Sequence, residues 1–231
     1  LERFYVGLKT APAKVQRRGI HLSAMECGAD SGDDQNHFGV KPMIRSVCVF
    51  CGSGPGTDPA FVEGARSLGK ALAGNNIRLV YGGGSQGLMG EVARATLEHG
   101  GHVTGIIPGF LKSREQMLEG AQEMIETNDM HERKRLMHDR SDAFVALPGG
   151  VGTLEELVEQ LTWRQLNQHQ KPILLADIHQ FWKPLLVLFA HMREFHFIRP
   201  GLELPYLVAE KVDDILPMLA QDAKMRALKS S

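Results

Sequence analysis

With 231 residues and 43% hydrophobic content, the chain is long enough for one sizeable α/β domain or two small ones, and a single domain is expected. The 26 Lys and Arg nearly balance the 27 Asp and Glu, so charge gives no reason to expect nucleic acid or a membrane as partner; the partner should be small. No apolar run reaches the roughly 20 residues of a membrane helix, and three cysteines without framework spacing suggest a reducing compartment, by default the cytoplasm.

Residues 1–43 differ from the rest. Within the first 25 residues Arg3, Lys9, Lys14, Arg17 and Arg18 oppose only Glu2, and Gly28 to Gly39 is polar and glycine-rich without periodicity, so this extension is expected to be disordered. It also fits a basic, acid-poor organelle presequence or translated upstream sequence, with Met43 a sensible natural start. Residues 44–231 are expected to form a single domain.

From Ser46 the pattern alternates. Strands are expected at Ser46 to Phe50, Ile77 to Tyr81, Val103 to Ile107, Glu123 to Glu126, Ala143 to Leu147, Ile173 to Ala176 and Leu207-Val208. Helices are expected at Pro59 to Ala73, Leu88 to His99, Met130 to Arg140, Thr153 to Leu166, Trp182 to Phe195 and Val212 to Leu219. Strands alternating with such helices imply a doubly wound, Rossmann-like parallel sheet with helices on both faces, whose ligands bind beyond the carboxyl ends of the strands. The glycine-rich turns at Gly52 to Gly56, Gly82 to Gly84, Pro108-Gly109 and Pro148 to Gly152 all fall on that edge.

The stretch Pro148-Gly149-Gly150-Val151-Gly152-Thr153-Leu154-Glu155-Glu156 joins an apolar strand to an amphipathic helix. Its glycines allow close backbone approach, and the free N–H groups and dipole of a new helix favour an anion, naturally a phosphate. Thr153 and Glu156 also fit a capping box, with Thr at the N-cap and Glu at the third helical position, which needs no ligand.

Other motifs carry less. Gly52-Ser53-Gly54-Pro55-Gly56 lacks dinucleotide spacing, and the second strand ends in Tyr81-Gly82 where an NAD site wants a carboxylate. Gly64 to Lys70 resembles a Walker A run but lacks the Ser or Thr at Ala71 and lies within a helix. If Cys48 lies in a strand, the spacing to Cys51 puts the thiols on opposite faces about 10 Å apart, so both should be ordinary buried cysteines. The ten histidines show no metal spacing, and no metal site is expected. Arg133 and Lys134 sit in a charge run that reads as a solvated helix face, except that this helix begins at the ligand edge.

Pro148 to Glu156, with Gly82-Gly83-Gly84-Ser85-Gln86-Gly87-Leu88-Met89-Gly90 upstream and Met130-His131-Glu132-Arg133-Lys134 between, resembles the LOG family of cytokinin-activating phosphoribohydrolases. Some members carry the older label lysine decarboxylase-like. The resemblance spans roughly Ile44 to Leu228. It implies hydrolysis of the N-glycosidic bond of a nucleoside 5'-monophosphate, typically an N6-modified adenosine monophosphate, to free base and ribose 5-phosphate.

On that resemblance Glu156 is the catalytic carboxylate, and Arg133 orients it or helps the departing base accept a proton. Gly149, Gly150, Gly152 and Thr153 would donate to the phosphate, with Gly83 and Gly84 leaving room for it. Lys134 would line the nucleotide site; Glu115 and Thr162 are promoted by the resemblance alone. Ser53, Val151, Leu154 and Glu155 complete the expected substrate contacts. No metal or redox cofactor is required, and a homodimer is expected. For its surface the last long helix offers Trp182, Leu185, Leu186, Phe189 and Met192, part of which belongs to the core. Two rivals stand beside this reading: a nucleotide or pterin-cofactor carrier, and a pyridoxal-phosphate decarboxylase, for which Lys134 is the one nearby Schiff-base candidate.

Overall fold

The computed structural model describes residues 44–112 and 118–230; the expected disorder of residues 1–43 and the candidate Glu115 lie outside them. In chain order the elements are β1 (Ser46–Phe50), α1 (Pro59–Gly74), β2 (Arg78–Tyr81), α2 (Gly87–Glu98), β3 (Val103–Pro108), β4 (Glu123–Thr127) and α3 (Met130–Asp139). There follow β5 (Ala143–Ala146), α4 (Val151–Gln165), β6 (Ile173–Ala176), α5 (Lys183–Glu194), β7 (Leu207–Ala209) and α6 (Ile215–Ser230).

All pairings are parallel, in the order β4-β3-β2-β1-β5-β6-β7. The sheet is therefore doubly wound, as the alternating pattern requires. The chain builds outward from β1 to β4, then returns to β5 on the other side of β1 and continues to β7. The loops leaving β1 and β5 consequently diverge, and the crevice between them is where such a sheet receives ligands.

Strand alternation divides the core in two. Val47 and Val49 of β1 pack with Leu68 and Leu72 of α1 and Val92 of α2, whereas Cys48 and Phe50 pack with Met137 of α3 and Leu157 and Leu161 of α4. Strands covered on both faces need apolar residues throughout, which explains the unbroken apolar runs. Cys48 and Cys51 are buried free thiols belonging to these two different layers. The Gly64 to Lys70 run lies inside α1, where a Cβ on Gly69 would stand 2.4 Å from the Val92 carbonyl oxygen. That glycine serves α1–α2 contact.

Two stretches differ from expectation. The last helix begins after a 3-10 turn, Val212–Asp214, and runs to Ser230 instead of ending at Leu219. Its later turns are rich in Ala, Gln, Lys, Met and Arg, good helix formers that need no apolar stripe. Trp182, at the N-cap of α5, and Phe189 within it are buried, and Leu185, Leu186 and Met192 pack against the same core; exposed apolar side chains nearby are Val187, Leu188, Phe195 and Phe197. Among the described residues no helix is long and apolar enough to cross a membrane.

Candidate active site

Three glycine turns are stitched together at the carboxyl edge. Gly52 N–H donates to the Pro148 carbonyl (3.0 Å), and the Gly52 carbonyl accepts from the backbone N–H groups of Leu88 (3.0 Å) and Met89 (3.3 Å) at the start of α2. Close approach is what the glycines permit here. At Gly87, which has φ +55°, a Cβ would fall 2.3 Å from the Ser53 carbonyl. At Gly149 a Cβ would fall 2.1 Å from Thr153 Oγ1, so the threonine hydroxyl occupies the space a side chain would need.

α4 starts two residues earlier than the sequence suggests. Gly150 is its N-cap and Val151 its first residue, so Thr153 is the third helical position and Glu156 lies in the second turn. The capping box expected at Thr153 and Glu156 is therefore not formed. Local propensity hid this, since valine and glycine are poor helix formers and threonine a good cap. A side-chain cap sits instead on α3, where the Asp129 carboxylate accepts from Glu132 N–H (2.8 Å) and the Glu132 carboxylate accepts from Asn128 N–H (2.8 Å). No side chain caps α4. Its first N–H groups have no acceptor within the helix, and a Cβ at Gly150 or Gly152 would meet nothing within 4 Å. Those two glycines leave open space at a positive helix end, which suits an anion.

Beside this helix start lies a cleft of about 280 Å³, bordered by Ser53, Gly82, Met130, Arg133, Thr153 and Glu156 among others. Glu156 Oε1 is 3.5 Å from Arg133 Nη2, and their side chains are only 12% and 9% exposed. Burial pushes the Glu156 carboxyl up to about 7, helped by the nearby Glu155 and Glu159 carboxylates, against the opposing pull of Arg133 and Lys134. Desolvation outweighs a counterion that sits too far for a tight charge-assisted hydrogen bond. Arg133 Nε is buried without a partner among the described residues. Such a pair stabilises the fold little, because desolvating both charges offsets their attraction. It leaves a carboxyl poised to change charge near neutrality.

Gly82 is what lets Arg133 occupy its place, since a Cβ there would stand 2.2 Å from Arg133 Nη2 and 3.2 Å from Met89 Sδ. The sequence singled out its neighbours instead. Gly83 has φ +84° and a would-be Cβ 3.1 Å from Ile107 Cβ, so it answers to backbone conformation and β3 packing, and Gly84 is buried. Neither borders the cleft, whereas Gly82 does. The signal for Gly82 was present in the triple glycine, but which of the three faces Arg133 depends on how the chain leaves β2.

Lys134 is committed elsewhere, its Nζ bonding Glu155 (2.6 Å) and Glu159 (2.9 Å). That clamps α3 to α4 and leaves the amine without the freedom a Schiff base requires. Leu154 packs against the core beneath α4. Thr162 is exposed well along α4, and its hydroxyl donates to the Val158 carbonyl (2.8 Å), so within one chain it does not join the cleft. Among the described residues no group of three His, Cys, Asp or Glu side chains is placed to hold a metal ion.

Residues 89–219 match a family described as possible lysine decarboxylase. The chain is 48% identical over 160 residues to a cytokinin riboside 5'-monophosphate phosphoribohydrolase of Arabidopsis thaliana, covering 69% of this chain and 74% of that one. A protein of the same name from Rhodococcoides fascians is 42% identical over 174 residues, covering 75% and 88%. A probable one from Oryza sativa subsp. japonica is 43% identical over 199 residues, covering 85% of each. Among solved structures, the Moco carrier protein of Chlamydomonas reinhardtii aligns with a TM-score of 0.58 at 23% identity, over 78% of this chain and 98% of that one. At that identity the likeness concerns the fold alone. The extent of the family match and the identity to these relatives agree with the order of the glycine and Arg-Lys motifs: the chain belongs to the LOG family of cytokinin riboside 5'-monophosphate phosphoribohydrolases.

Proposed function

We propose that this protein hydrolyses the N-glycosidic bond of adenosine 5'-monophosphates, N6-modified ones included, releasing free base and ribose 5-phosphate. The observation that carries the reading is the Glu156 carboxyl, held near neutrality opposite Arg133 and one turn beyond an uncapped helix start. The phosphate sits on the N–H groups of Val151, Gly152 and Thr153, with Ser53 above it. The ribose then extends along α4 towards Glu156. As the bond from C1' to the base nitrogen breaks, its electron pair leaves with the base and positive charge develops on the sugar. Ionised Glu156 stabilises that charge and takes a proton from the attacking water. Arg133 orients the carboxylate from 3.5 Å away. Lys134, Glu155 and Glu159 hold the two helices that carry this pair.

The test is incubation with AMP, isopentenyladenosine monophosphate and adenosine, followed by chromatography for free base. Both monophosphates should be cleaved and adenosine should not, because the site is organised around an anion. Ligand bound but recovered intact would make the protein a nucleotide carrier; equal cleavage of adenosine would remove the phosphate loop from the reading.

Residues 44–231 are proposed as the catalytic domain, so a chain begun at Met43 should retain AMP hydrolysis. A homodimer is proposed from the apolar stripe Val151, Val158 and Leu166 along α4, with Thr162 on the same side, together with the exposed Val187 and Leu188 of α5. Light scattering at micromolar concentration checks it, a fully active monomer being the contrary result. The buried free thiols Cys48 and Cys51 suit a reducing compartment such as the cytoplasm.

A further inference from the structure

Across the Gly52–Gly150 ridge from the Arg133–Glu156 cleft lies a second pocket, of about 310 Å³. The two share Gly52, Ser53 and Gly150, so they adjoin on either side of the α4 start. Their walls are unlike. The second pocket is closed by Pro55, Phe61, Leu88 and Phe181, and among the described residues no charged side chain lines it. Phe61 and Phe181 meet edge to face at 5.5 Å. Both rings are held by unusual backbone. Gly56 has φ +72°, and a Cβ there would stand 2.9 Å from Phe61 Cδ2. Phe181 follows His179 and Gln180, two consecutive non-glycine residues with φ +51° and +61°. That turn persists because its surroundings over-determine it: Asp58 pairs with His179 (2.7 Å), Asp177 accepts from Trp182 N–H (2.6 Å), and Trp182 Nε1 donates to the Ala146 carbonyl (3.1 Å).

This inference rests on the phosphate position proposed above. With the phosphate on the first turn of α4 and the ribose directed to Glu156, the far side of the phosphate faces the second pocket. A monoester presents a charged oxygen there, opposite aromatic and apolar walls without a cation. A diester presents a neutral substituent. We propose that the second pocket takes a neutral planar aromatic group esterified to the 5'-phosphate, so that nucleoside 5'-phosphodiesters bind as well as monoesters. The ring is buried against Phe61 and Phe181, and the remaining single negative charge stays on the α4 N–H groups.

The phenyl and methyl esters of AMP carry the same charge and differ only in the group offered to the pocket. Calorimetry on the full chain should find the phenyl ester bound about tenfold more tightly than the methyl ester, a gain of the size aromatic contact and burial supply. Two variants should abolish that preference while leaving AMP turnover unchanged. Phe181→Ala removes the ring; Gly54→Leu adds a bulky side chain at a residue that lines the pocket, where a Cβ meets nothing within 4 Å. Equal affinity for the two esters, absence of ester binding where AMP binds, or a preference surviving both variants overturns the proposal. Failure of the hydrolase reading is seen separately: AMP left intact with the phenyl preference present sinks the hydrolase and keeps the pocket.

Discussion

Two adjacent basic residues of α3 pair with carboxylates of α4, and their pairings differ in kind. Lys134, itself largely buried, reaches Glu155 and Glu159 at 2.6 and 2.9 Å, a tight contact in which Glu155 stays half exposed. One residue earlier, Arg133 faces Glu156 across 3.5 Å inside the cleft, with Nε unpartnered and the carboxyl raised to about 7. The first is closely paired, though Glu159 Oε2 is buried without a partner among the described residues, and it holds the helices together. The second is desolvated and incompletely satisfied, which is costly for stability and useful for a group that must change its proton. Chemistry is therefore expected from Arg133 and Glu156, and architecture from Lys134 and Glu155.

The largest test of that contrast is Glu156→Gln, which should fold, bind AMP and lower kcat at least about a hundredfold, the low end for loss of a positioned acid-base group. Near-normal turnover would put both pairs in the structural class. The variant also reports on stability. Burial makes folded Glu156 keep its proton where the unfolded chain has released it. The stability it contributes is therefore full below the ordinary carboxylate range and lost as pH rises to about 7. Melting temperatures of parent and variant should accordingly shift in the variant's favour over that window. A constant difference would show that Glu156 titrates as an ordinary surface acid.

Gly82→Ala comes next, since its methyl group must push the guanidinium aside. A displacement on the order of 1 Å should cost tens to about a hundredfold in kcat. Unchanged kinetics would mean that the exact seat of Arg133 is unimportant. In the parent, kcat/KM for AMP should rise with pH along a limb centred near 7 as Glu156 ionises, and Glu156→Gln should lose that limb. A limb retained in the variant belongs to another group, such as the substrate phosphate, whose second pKa is about 6.

Smaller effects should come from the clamp. Lys134→Ala is expected to lower the melting temperature while changing kcat by less than about threefold, because a largely buried lysine leaves Glu155 and Glu159 unpaired when it is removed. A large loss of rate at unchanged stability would move Lys134 into the substrate site. Glu155→Gln, the smallest expected change, leaves Glu159 to hold the lysine and serves as the control for Glu156→Gln.

Much of this architecture is legible from local pattern. β1 and β6 have the bounds their apolar runs indicate, and most other elements differ by a residue or two at an end. The glycine turns mark the ligand edge. Less legible is the start of α4, because Val151 and Gly152 are weak helix formers recruited by the tertiary setting of the Pro148 loop. Thr162 shows the opposite limit: its place in a motif says nothing about which way α4 turns it, and the helix turns it outward.

By itself the amino-acid order determined the alternation of strands and helices, hence the parallel sheet, its ligand edge and a glycine-framed helix start facing that edge. These follow from propensity and periodicity, which act over a dozen residues or so. Only the tertiary structure decided that Gly82 makes room for Arg133, that Glu156 is drawn out of water and towards neutrality, and that Phe61 and Phe181 meet across the sheet's edge. Desolvation and close packing arise between residues distant in the chain, so no window of sequence contains both partners.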